Sequence, residues 1–112
     1  MKSYNLDYIR NFSRGDPEFV RKMINLFLEQ IPASVDEIRT ALKKGDPEQI
    51  MKTAHRIKPT IDSFGIDDLK MDIRSIEDLA KEGGVSPELE LLVDRLADVI
   101  ARVAGELENE QP

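Results

Sequence analysis

Three times along the chain a capping residue stands immediately before proline and glutamate: Gly15-Asp16-Pro17-Glu18, Gly45-Asp46-Pro47-Glu48 and Ser86-Pro87-Glu88. Each reads as a helix start. The Asp or Ser side chain can accept backbone N–H groups that the first turn leaves without partners. Proline suits the first helical position, where its missing N–H costs nothing and its φ is already helical. Glutamate is favourable beside the positive end of the helix dipole. The first two tetrapeptides are identical, yet the sequences after them differ, so they read as one capping solution used twice rather than a duplication.

The apolar spacing between these marks is helical throughout. Leu6, Ile9 and Arg10 predict a short first helix, with Tyr4, Tyr8 and Phe12 adding aromatic surface. Phe19, Val20, Met23, Ile24, Phe27, Leu28 and Ile31 follow the first mark. Pro32 cannot donate to the Leu28 carbonyl, so a kink or break is expected there, with the pattern resuming at Val35, Ile38, Ala41 and Leu42. Lys43 and Lys44 suit the negative C-terminal end, and Gly45 the residue beyond it. The second mark leads to Ile50, Ala54, Ile57, Ile61 and Phe64, and Gly65 ends that helix. Leu69, Ile73, Ile76 and Leu79 form the next, before Gly83-Gly84. Leu89, Leu92, Val93, Leu96, Val99, Ile100, Val103 and Leu107 form the last. Beyond Gly105 the acidic end is expected to fray. Helices of roughly 11 to 20 residues with short connections pack most economically as antiparallel neighbours. The expected fold is therefore all-α: an antiparallel, up-down four-helix bundle with a short additional N-terminal helix. It forms one domain over 1–112, with an acidic tail from about 106.

The 112 residues suffice for one core, and 40% hydrophobic with 34% charged residues is a globular composition. No apolar run approaches the roughly 18 residues of a membrane span, and Met1-Lys2-Ser3-Tyr4-Asn5 lacks the apolar stretch of a signal peptide. The absence of cysteine excludes disulfides, thiol catalysis and Cys-based zinc sites, and a cytoplasmic location is expected. A net charge of -6 argues against nucleic-acid binding. Leu89, Leu92, Leu96, Val99 and Val103 form a nearly heptad seam, but the bundle itself needs that face, so a monomer is expected.

His55 is the sole histidine. At about 100° per residue it lies roughly 130° from the centre of the arc formed by Ile50, Ala54, Ile57 and Ile61, and so points to solvent. Met51, Lys58, Pro59 and Asp62 overlap its face. A lone exposed histidine is most often only a surface residue. A metal site needs several ligands, and Asp62 is the sole candidate partner on this face, so no metal is expected. His55 and Asp62 are separated by about 10 Å along a helix, too far for a direct acid/base pair. An exposed neutral imidazole is, however, a competent nucleophile for a group delivered by another protein. Lys58, one turn on, is placed to hold transferred phosphoryl oxygens, and Lys52 and Arg56 add positive potential that could attract an acidic partner. Pro59 cannot donate to the His55 carbonyl, so a bend is expected just after the histidine. There is no Gly-rich phosphate loop of the Walker type.

Ala54-His55-Arg56-Ile57-Lys58, followed by Ser63-Phe64-Gly65-Ile66, resembles the signature of histidine-containing phosphotransfer (HPt) domains. Gly15-Asp16, Phe19 to Phe27, Ile31-Pro32, Ala41-Leu42 and Asp46 resemble the same family's preceding helix, so the likeness covers roughly Leu6 to Leu79. One departure is Pro59, where the family usually has glycine. The resemblance implies a phosphorelay carrier of two-component signal transduction, without kinase activity of its own. His55 would accept a phosphoryl group from a receiver-domain phospho-aspartate and pass it to another receiver, with Lys58 stabilising charge. Met51, Lys52, Arg56, Pro59 and Asp62 would be docking candidates. The implied partners are receiver domains and a hybrid sensor histidine kinase, with no cofactor in this chain and the divalent metal supplied by the receiver. The alternative is a bundle that binds a receiver or kinase without transferring phosphate.

Overall fold

All three capping marks start helices. Asp16 accepts from the Glu18 N–H, Asp46 from the Gln49 N–H and Ser86 from the Leu89 N–H, each with proline at the first helical position. A computed structural model describes residues 2–110, and among these the secondary structure is helical: α1 Asp7–Phe12, α2 Pro17–Lys44, α3 Pro47–Ser63, α4 Asp67–Lys81 and α5 Pro87–Glu108.

Helices α2 to α5 form the bundle, each packed on the next, with α5 closing the ring against α2, while α1 packs on α2. Cross-helix contacts fix the antiparallel sense: Phe64 packs tilted against Phe27 while Arg56 pairs with Glu37, so numbers rise on α3 as they fall on α2. The same holds for α3 and α4, where His55 meets Glu77 and Asp62 meets Arg74. The expected four-helix bundle with an extra N-terminal helix is the observed fold. Ile50, Ala54, Ile57 and Ile61 are all buried, so the predicted stripe of α3 is its core face.

Two expectations need correction. Pro32 does not break the chain; α2 runs through it for 28 residues. Val20, Ile24, Phe27 and Ile31 before the proline and Val35, Ile38 and Ala41 after it are all buried. Keeping both sets in one core outweighs the single hydrogen bond that proline cannot make. The acidic end does not fray over the described residues. Helix α5 continues to Glu108, and Glu106 and Glu110 bind the N-terminal segment. Residues 111–112 of the predicted tail lie outside the described residues.

The turn between α3 and α4 matters most for the site, because it sets the register of the two helices. Gly65 adopts a left-handed φ of 58° there. A Cβ would lie 2.8 Å from Asn5, whose N–H donates to the Phe64 carbonyl. Glycine is thus required twice, by dihedral and by space.

Candidate functional site

His55 sits on the outer face of α3 with its side chain 68% exposed, as the angular argument predicts. Beneath it Ala54 and Ile57 are buried, so the histidine backbone rests on a packed helix. The imidazole is held by a residue the sequence reading missed. Glu77, on α4, places one carboxylate oxygen 2.6 Å from His55 Nδ1 and the other 2.7 Å from Lys58 Nζ. The Lys58 ammonium, followed by the His55 contact, holds the Glu77 carboxyl below the ordinary 4.5, against the opposing effect of its partial burial. An ionised Glu77 accepts, so Nδ1 carries the ring proton and donates it. In the neutral imidazole Nε2 then keeps its lone pair. The site is therefore an exposed nucleophile whose ring is oriented and whose tautomer is set by a carboxylate from the neighbouring helix.

Lys58 lies one turn beyond His55, only 26% exposed, with its ammonium at the edge of the imidazole site through the shared Glu77. The other candidates make no hydrogen bond or ion pair to this centre. Lys52 pairs with Glu48 at 3.1 Å and Arg56 with Glu37 at 2.9 Å. Arg56 also donates to Ser34 Oγ. Asp62 is claimed by Arg74 at 2.6 Å, and this bond holds its carboxyl below the ordinary range. Met51 is half-buried at the rim of the core, whereas Pro59 is exposed within α3, which continues through it to Ser63. The positive potential expected from Lys52 and Arg56 is thus matched by carboxylates of this chain. Among the described residues, no three His, Asp or Glu side chains converge into a metal-binding group.

Glu77 was not beyond reach of the sequence. In an antiparallel hairpin turning at Gly65, residues a similar distance before and after the turn come opposite one another, and Glu77 flanks the buried Ile73 and Ile76.

The family model described as "Hpt domain" matches residues 22–109, from the first turns of α2 to the end of α5. The chain belongs to the Hpt domain family. Searches of curated proteins and of solved structures returned no match. Membership identifies histidine-containing phosphotransfer in two-component signalling, the work of a family of carriers rather than enzymes that meet receiver domains and kinases. The helical bundle is the fold such a domain needs, and no described helix is long and apolar enough to cross a membrane.

Proposed function

We propose that this Hpt domain is a phosphorelay carrier in which His55 Nε2 accepts a phosphoryl group from the phospho-aspartate of a receiver domain. The observation that supports this best is the two-handed contact of Glu77, which engages Nδ1 and Lys58 and leaves Nε2 of an exposed ring without a partner among the described residues. Nε2 forms a bond to phosphorus as the bond from phosphorus to the aspartate oxygen breaks, and the aspartate leaves as a carboxylate. The Nδ1 proton stays on the ring, which gains positive charge, and the ionised Glu77 stabilises that charge at its hydrogen-bonded edge. Lys58 offers its ammonium to the phosphoryl oxygens. The phosphoryl group then passes to the aspartate of a second receiver by the reverse step.

In this reading the domain has no kinase activity of its own and needs no resident cofactor; the receiver brings the divalent cation. A hybrid sensor kinase stands upstream, and Met51, Lys52, Arg56, Pro59 and Asp62 form the docking surround. The carrier acts as a monomer in the cytoplasm, on neither nucleic acid nor membrane. Incubation with a panel of phosphorylated receivers tests the proposal. Acid-labile, base-stable label on the wild type but not on His55→Gln supports it. A folded protein that binds receivers but takes no label would instead be a non-transferring interaction module.

A further inference from the structure

Four cations around His55 have a carboxylate of this chain as partner: Lys52 with Glu48, Arg56 with Glu37, Lys58 with Glu77 and Arg74 with Asp62. These four pairs sum to zero, on a chain whose net charge is -6. Exposed pairs of this kind present little potential beyond a Debye length, so these four cations give an acidic partner little long-range attraction. A different feature stands beside the histidine. Pro59 lies one turn after His55, exposed within a continuous helix. It has no N–H, so the His55 carbonyl lacks its helical donor, and an apolar ring stands in that donor's place. Residues separated by one turn lie about 6 Å apart on a helix surface, so whatever reaches the imidazole must also cover this ring.

The geometry points to Pro59 as the residue that selects which receiver can use His55, through its ring and the open His55 carbonyl, in place of selection by charge. This rests on the reading of His55 as the phosphoacceptor. The fitting partner has an apolar patch beside its phospho-aspartate and a hydrogen-bond donor, backbone or side chain, for the carbonyl. A partner that offers a charged group there must desolvate it against a proline ring, which is how a short surface feature rejects as well as accepts.

The test is phosphoryl transfer from a panel of phospho-receivers to the wild type, Pro59→Ala and Pro59→Gly, with His55→Gln as a blank. Alanine returns the N–H to the His55 carbonyl and removes the ring; glycine returns the N–H and opens more space. The wild-type spread in kcat/KM between the best and worst receivers should shrink by about fivefold or more in Pro59→Ala, chiefly through KM. Wild-type kcat/KM should change less than about threefold between roughly 50 and 500 mM salt. Circular dichroism should show Pro59→Ala at least as helical as the wild type, since alanine favours a helix interior that proline opposes. All receivers shifting by one common factor in the Pro59 variants, or a fall of about tenfold or more in wild-type kcat/KM with salt, would overturn the proposal. If either occurs while the wild type is labelled and His55→Gln is not, the selection by Pro59 fails and the carrier reading stands. If nothing labels His55, both fail.

Discussion

The molecule contains two networks organised by a glutamate, and they do opposite work. At the far end of the bundle Glu110 gathers Lys2, Tyr4 and Arg10, while Glu106 accepts from both the backbone N–H and the hydroxyl of Ser3. At the α3–α4 face Glu77 gathers His55 and Lys58. Both glutamates orient an aromatic ring and bind a lysine. The difference is cover. Tyr4 is 6% exposed and its hydroxyl is spent on Glu110, and burial, followed by that bond, pushes its ionisation far above the ordinary range. His55 is 68% exposed and only one of its two ring nitrogens is claimed. A carboxylate that satisfies a buried ring closes the fold. A carboxylate that holds one edge of an exposed ring leaves the other edge ready to react.

Four results would break or sharpen this contrast. The largest effect belongs to the ground beneath the site: Ala54→Asp puts a charge at a position with no exposure, and chemical denaturation should show a loss of about 3 kcal/mol or more. Glu110→Ala strands the buried Tyr4 hydroxyl and should cost about 1 to 3 kcal/mol in the same assay, with phosphoryl transfer unchanged in the folded fraction. Glu77→Ala should invert that pattern. Transfer slows about tenfold, equal to about 1.4 kcal/mol on the barrier, with little change in denaturation midpoint. Lys58→Ala, which keeps the imidazole contact of Glu77, should slow transfer by a similar or smaller factor.

The smallest effect is on pH. Glu77, Glu106 and Glu110 are all held below the ordinary 4.5, chiefly by Lys58, by the Ser3 backbone N–H and by Lys2 respectively. A carboxyl with a depressed folded value stabilises the protein fully above its unfolded value, and that contribution drains away as pH falls through the folded one. Melting temperature should therefore hold near neutrality and decline below about pH 4.5, with Glu110→Ala declining less steeply than the wild type.

Much of this was readable in the chain. The caps at Asp16, Asp46 and Ser86 depend on neighbours two or three residues away, and the exposure of His55 depends on the angle between residues of one helix. Such local relations survive in a sequence. The missed features depend on distant partners. Glu77 reaches His55 across 22 positions, and Glu106 reaches Ser3 across 103, so periodicity could say that each was polar but not what it met. Of the kink or break expected at Pro32 there is no break, because burial on both sides outweighs the hydrogen bond that proline lacks. Lys52 pairs with Glu48 four residues before it, a spacing legible in the sequence, whereas the partner of Arg56, Glu37, lies on another helix and carries no local mark of that role.

The central claim is that His55 carries the phosphoryl group on the nitrogen that Glu77 leaves free. Phosphorus-31 and nitrogen-15 NMR of the protein after phosphorylation by a receiver would locate it directly. The account requires a single phosphoramidate at Nε2 of His55, with Nδ1 still protonated and bonded to Glu77. Phosphate at Nδ1, or on any residue that survives His55→Gln, would contradict it.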